Sequence, residues 1–180
     1  MTALGQDKLF MIQGEQVELD GELADRGYVV KDPVDLLVCD AATLADEFKP
    51  KLEAIFAQFP MAILAEIWAE GGINSARLDV MQRALCDKTF VMGRIDARAS
   101  AAAFVGASNG ICMAHAVEVL ERERRRGVAE RMMRAAAWWG LRHGAETFCV
   151  LTTQANTGAQ ALYRKIGMET AAQYHYRIKS

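Results

Sequence analysis

The 180-residue chain is long enough for one domain, or one domain with a small appendage, and can bury roughly 70% of its unfolded surface. Its 21 Lys+Arg against 23 Asp+Glu leave a net charge of -2, which excludes a molecule-wide field for gathering nucleic acid or anionic membrane; any anion site must be local. A hydrophobic share of 52% with only 3 Pro excludes a disordered or collagenous chain, and no apolar run approaches the ~18 residues that span a bilayer.

Cys39, Cys86, Cys112 and Cys149 form no CxxC pair and are too sparse for a disulfide scaffold, so reduced thiols are expected. The apolar stretch from Leu9 to Ile12 stops at Gln13, too short for a signal-peptide core, and a cytoplasmic location is expected.

In chain order, residues 8–13 alternate weakly as a strand, Val17, Leu19 and Leu23 mark a short helix stopped by Gly27, and Val34, Leu36 and Val38 recur at period two. Thr43 with Asp46 reads as a capping box, predicting a helical region that runs through Lys51 to Phe59. Pro60 separates it from a helix over 61–70, ended by Gly71-Gly72, and Asn74 or Ser75 caps the next, with Leu78, Met81 and Leu85 at helical spacing. Three β segments follow, 89–95, 101–107 and 111–119, joined by short polar turns as an antiparallel meander. Then come a helix from Gly127 to about Arg142, a strand at 147–152, a helix at 157–166 closed by Gly167, and a strand at 173–179. Helices alternating with mixed strands predict an α/β or α+β sheet.

The two ends of the chain also resemble each other. At an offset of 140 positions Gly27 falls on Gly167, Leu23 on Tyr163, Val34 on Tyr174, Leu36 on Tyr176 and Val38 on Ile178. Duplication is one explanation; the chance likeness of any two strand-helix-strand units is the other.

The segment most informative about chemistry runs from Val117 to Met133, a strand ending in a charged turn that opens a helix at a glycine. Arg124-x-x-Gly127-x-Ala129 puts small residues where a ligand must approach backbone, and the uncapped helix-end amides with the helix dipole suit a pyrophosphate. Taken alone, the same arginines also read as a solvated loop. Downstream stands Asn156-Thr-Gly-Ala159-Gln-Ala-Leu162-Tyr163-Arg-Lys-Ile-Gly167-Met168, directly after an apolar strand.

Together, in this order, the two segments resemble the GNAT superfamily of acyl-CoA N-acyltransferases over roughly residues 88–180. The resemblance implies a mixed, mostly antiparallel central sheet flanked by helices, with 34–180 as the acetyltransferase domain and 1–33 as a strand-helix-strand appendage. It implies acetyl-CoA as cosubstrate, no metal, and transfer to an amine by direct attack in a ternary complex. Val117, Glu118 and Val119 would pair with the pantetheine arm, the Val117 N–H facing the thioester carbonyl. Arg124, Arg125, Arg126, Gly127, Val128, Ala129 and Glu130 would form the pyrophosphate cradle, Asn156 would contact the cofactor arm, and the Tyr163 hydroxyl would protonate the leaving thiolate. Ala129 replaces the commoner glycine, and Glu130 adds a negative charge beside the cradle.

Met113 stands where histone-type relatives carry a glutamate base, whereas His115 matches a histidine of arylalkylamine-type relatives. His115 is read as either the proton acceptor or a core histidine hydrogen-bonded across the sheet. Glu66 and Glu70, one helical turn apart, either attract an ammonium substrate or form a solvated face. His143 fits a charge–dipole role at a helix end, His175 has no motif behind it, and Trp68, Trp138 and Trp139 read as core or interface residues. The acceptor is a small-molecule or peptide amine, with no nucleic-acid or membrane partner and a homodimer left open. The competing function is a noncatalytic acyl-CoA-binding or regulatory module on the same fold. By the same offset, residues 8–40 would be a degenerate half-unit, with Gln16 and Leu23 in the places of Asn156 and Tyr163.

Overall fold

The computed structural model describes residues 8–46, 48 and 53–179. Among these, strands β1 (Lys8–Gln13), β2 (Val29–Asp40), β3 (Ala54–Ala57), β4 (Asp87–Ile95), β5 (Arg98–Ser108), β6 (Ile111–Val119), β7 (Thr147–Thr153) and β8 (Glu169–Lys179) form one sheet in the order β1-β8-β2-β7-β6-β5-β4-β3. Six α-helices accompany them: α1 (Val17–Asp25), α2 (Ala41–Ala45), α3 (Ala62–Glu70), α4 (Ser75–Arg83), α5 (Val128–Leu141) and α6 (Thr157–Lys165). Pairing is antiparallel for β1–β8, β3–β4, β4–β5 and β5–β6, and parallel for β6–β7, giving the expected mixed, mostly antiparallel α/β sheet. No helix of the described residues is long and apolar enough to cross a membrane. The chain forms two compact units, residues 38–150 and residues 1–37 with 151–180.

In the unit 38–150, the predicted meander forms at β4, β5 and β6, and β5 is buried without a break from Ser100 to Val105, as a strand covered on both faces requires. Trp68, Phe90, Phe104, Leu64, Ile67 and Leu120 form a core beneath it. The helix α5 buries Val128, Met132, Ala135, Ala136 and Trp139, and Gly93 of β4 lets it come close, since a Cβ there would land on Met132 and Val128. Of the two cap candidates, the Asn74 side chain caps α4, accepting from Arg77 N at 3.2 Å, while Ser75 is the first residue of the helix.

The segment after Cys39 differs from the sequence reading. Asp40, not Thr43, is the N-cap of α2, accepting from Thr43 N at 2.6 Å, and the helix ends at Ala45. Part of the predicted continuation, Lys51 included, lies outside the described residues, as do residues 1–7 of the appendage; Ala54–Ala57 is a strand paired with Phe90–Gly93. Its four residues, Ala-Ile-Phe-Ala, carry no period that separates strand from helix, so the ladder decides.

In the other unit, an offset of 140 carries the bounds of α1 onto α6 and Gly27 (φ 79°) onto Gly167 (φ 85°). The closing turns match bond for bond: Tyr28 N donates to Leu23 O at 2.9 Å, and Met168 N to Tyr163 O at 3.0 Å. The strand β1 pairs with β8 from Lys8 against Lys179 to Gln13 against Tyr174.

Candidate active site

The candidate anion cradle is built where β6 gives way to α5, inside the unit 38–150. After Val119 the chain makes a short 3₁₀ turn at Glu121–Glu123, and Arg125 (φ 64°) and Gly127 (φ 76°) both take the left-handed conformation. Gly127 is the N-cap of α5 and no side chain caps it, so the first-turn amides have no intrahelical acceptor and face outward with the positive end of the helix dipole. A Cβ at Gly127 would stand 3.0 Å from Arg131 Nη1, so the glycine keeps the approach to those amides open and suits the left-handed turn. This is chemistry that fits a pyrophosphate.

The arginines around it are braced. Arg124 Nε donates to Val119 O at 3.2 Å and its Nη2 lies 3.5 Å from Glu118 Oε1. Arg126 bridges Glu123 (2.6 Å) and Asp96 (2.7 Å), and Arg131 Nη1 donates to Arg126 O at 3.2 Å. The Glu130 carboxylate turns along the helix toward Arg134, 3.3 Å away, so part of its charge is met within α5. Beside the cradle an open cavity of about 430 Å³ is lined by Arg94, Arg126, Arg131, Glu53 and Asp96.

The strand feeding the cradle is irregular. Pairing between β5 and β6 shifts between Ala102↔Glu118 and Phe104↔His115, so β6 carries one extra residue, and Ala116 sits there at φ 48°. The Ala116 carbonyl accepts from Trp68 Nε1 at 2.7 Å. Val117, Glu118 and Val119 follow directly. His115, before the bulge, is half-buried against Phe104 with ring centroids 5.9 Å apart; burial, then the Arg77 charge, pulls its pKa below 6.5 and keeps it neutral at pH 7.

In the other unit, Asn156 is the N-cap of α6, its Oδ1 accepting from Ala159 N at 3.1 Å. Tyr163 is 4% exposed, and burial pushes its pKa up to about 12, so the hydroxyl keeps its proton at neutral pH. Nearby in sequence, Gln160 donates to a buried carboxylate, Asp35 of β2, at 2.8 Å; Gln154 and Gln173 donate to the same carboxylate at 2.9 Å each.

Glu66 and Glu70 are both on the exposed face of α3, and Glu70 lies 3.6 Å from Arg122. His143 Nδ1 donates to Trp139 O at 2.8 Å, its ring stacked on that indole, and His175 bonds Asp20 at 2.7 Å. All four cysteines are free thiols; burial pushes Cys112 up to about 12 and Cys149 to about 11, leaving them poor nucleophiles. The described residues contain no cluster of three or more metal-ligating side chains. The sequence missed Trp68 and Asp35 as partners of the site elements, since neither lies near its partner in the chain.

The family described as Acetyltransferase (GNAT) family matches residues 61–168. An uncharacterized N-acetyltransferase, YobR, of Bacillus subtilis is 33% identical over 63 residues, 35% of this chain and 26% of that protein, so the match spans about a quarter of the relative's length. Among solved structures, a GCN5-related N-acetyltransferase from Kribbella flavida is similar over 99% of this chain and 70% of its own (TM-score 0.70, 21% identity). A functionally unknown protein from Staphylococcus epidermidis is similar over 95% of this chain and 71% of its own (TM-score 0.69, 13% identity).

Proposed function

Because the chain belongs to the acetyltransferase (GNAT) family, we propose that it transfers an acetyl group from acetyl-CoA to an amine by direct attack within a ternary complex. The observation that carries this reading is the left-handed, uncapped Gly127 opening α5 directly after the bulged strand β6. Amides of residues 127–130 take the pyrophosphate, with Arg124, Arg125 and Arg126 around them. Backbone of Val117–Val119 pairs with the pantetheine arm, and the Val117 N–H polarises the thioester carbonyl. Asn156 contacts the same arm.

In the reaction the amine nitrogen attacks the carbonyl carbon, a C–N bond forms and the C–S bond breaks. His115, neutral at pH 7, accepts the ammonium proton directly or through water; Tyr163, protonated at pH 7, gives its proton to the departing thiolate. Glu66 and Glu70 attract the ammonium acceptor, a small molecule or a peptide amine. The protein works in the cytoplasm, with no nucleic-acid or membrane partner. Residues 34–180 form the acetyltransferase domain, and 1–33 belong to a degenerate half-unit that packs without catalysing.

The test is release of free CoA thiol from acetyl-CoA across a panel of amines, with binding of CoA measured alongside. Turnover with one acceptor class supports the reading. Tight CoA binding without turnover on any amine makes the protein a noncatalytic acyl-CoA-binding module, and no binding at all refutes the cradle.

A further inference from the structure

We propose that Trp68 is a positioning residue: its indole N–H pins the β6 bulge and thereby sets the backbone of Val117–Val119. The inference rests on the reading that this backbone takes the acyl-CoA arm.

The bulge has two intrinsic weaknesses. Ala116 holds φ 48°, a conformation that a residue with a Cβ adopts at a cost of order 1 kcal/mol. Ala116 also has no partner residue in the β5–β6 register, and a buried carbonyl left without a donor is expensive. The Trp68 indole answers the second directly, donating to Ala116 O at 2.7 Å. It is a fixed donor, because the ring is fully buried among Leu64, Ile67, Phe90, Phe104 and Leu120, with the Phe90 centroid 6.1 Å away. An indole has no acceptor atom and a single N–H, so its orientation is set by the pocket and its bond can go to only one partner.

The helix that carries Trp68 is itself seated against this strand. Trp68 O accepts from Ile73 N at 2.8 Å, closing α3 through Gly71-Gly72, and a Cβ at Gly71 would collide with the Glu118 carboxylate. The C-terminal turn of α3 therefore touches β6 on both sides of Val117, at the carbonyl of Ala116 and at the side chain of Glu118. Packing alone would need a large apolar ring at position 68; the short bond to the Ala116 carbonyl at the bulge is what an indole adds.

Trp68→Phe keeps an aromatic ring but removes the donor. Amide hydrogen exchange at Val117–Val119 should then accelerate, and CoA affinity and acetyl-CoA KM should weaken about tenfold, with kcat changed less. Trp68→Phe with Ala116→Gly should recover part of both, since glycine holds a positive φ without a Cβ clash. A packing role predicts no rescue by a change that adds no volume, and that result overturns the proposal. Unchanged exchange at Val117–Val119 in a folded Trp68→Phe protein also overturns it. Faster exchange with unchanged CoA affinity would leave the pin in place but refute the acyl-CoA reading of the strand. Where the variant does not fold, the wild type decides: the Trp68 indole proton must exchange slowly, and fast exchange sinks the proposal.

Discussion

Replacing Asp35 with alanine should destabilise the protein by about 3–5 kcal/mol at pH 7. Its carboxylate is 4% exposed and accepts three glutamine amides, from Gln154, Gln160 and Gln173, at 2.8–2.9 Å. Gln154 and Gln173 are exposed and can turn to water, so each contributes little beyond its own bond. Gln160 cannot. It is buried, and its Oε1 already lacks a partner, so losing Asp35 leaves both polar ends of one amide unsatisfied, at ~1–3 kcal/mol, on top of the charge-assisted bond itself at ~1.5–3 kcal/mol. Burial pushes the Asp35 pKa up, but the three amides outweigh it and hold it below the usual carboxylate value. A depressed folded pKa gives stability that is fully present above the unfolded value near ~3.9 and is lost as pH falls through the folded one. The difference between wild type and Asp35→Ala, measured by urea unfolding at a series of pH values, should be flat from about pH 5 to 8 and shrink below about pH 4. A difference under about 1 kcal/mol at pH 7, or one that persists undiminished at pH 3, would refute the reasoning.

Three further outcomes follow from the site. Saturating acetyl-CoA at about 100 times its Kd should add ~2.7 kcal/mol and raise Tm by several degrees, and Gly127→Leu should abolish the shift by straining the left-handed turn and crowding Arg131. Tyr163→Phe should leave CoA affinity nearly unchanged while lowering turnover by ~10²-fold, measured under conditions where chemistry limits the rate. The acid limb of kcat/KM should lie below 6.5, because burial and Arg77 favour neutral His115; His115→Ala should remove that limb, and a limb that instead follows the basicity of the amine refutes the assignment.

The parts of this protein written in local pattern were legible in its sequence. Short β segments between polar turns marked the β4-β5-β6 meander, Asn74 was one of two cap candidates beside Ser75, and the Gly127 and Gly167 turns stood where helix ends require them. Thr43 misled because Asp40, three residues earlier, offers the better acceptor and claims Thr43 N for itself. What stayed hidden is tertiary. Asp35 meets its three amides across 119, 125 and 138 positions, and the Trp68 indole reaches Ala116 across 48. The bulge itself left no signature, since His-Ala-Val alternates as well in a bulged strand as in a regular one.

The correspondence between residues 8–39 and 148–179 extends from element bounds to contacts, and the contacts bear on Tyr163. Asp20 of α1 bonds His175 of β8 at 2.7 Å, while at an offset of 140 Gln160 of α6 bonds Asp35 of β2 at 2.8 Å. A helix position is paired to a strand position twice at the same offset, with the acid on the helix in one case and on the strand in the other. Arg177 adds a two-pronged bond to Asp20 at 2.7 and 2.9 Å, so the ties are ionic at one end and amide-to-carboxylate at the other. Within this frame Leu23 and Tyr163 occupy equivalent places and are equally hidden, at 6% and 4% exposure. A leucine therefore satisfies the packing demanded of that helix position. Burial keeps the Tyr163 hydroxyl protonated at neutral pH, which its proposed transfer of a proton to the departing thiolate requires.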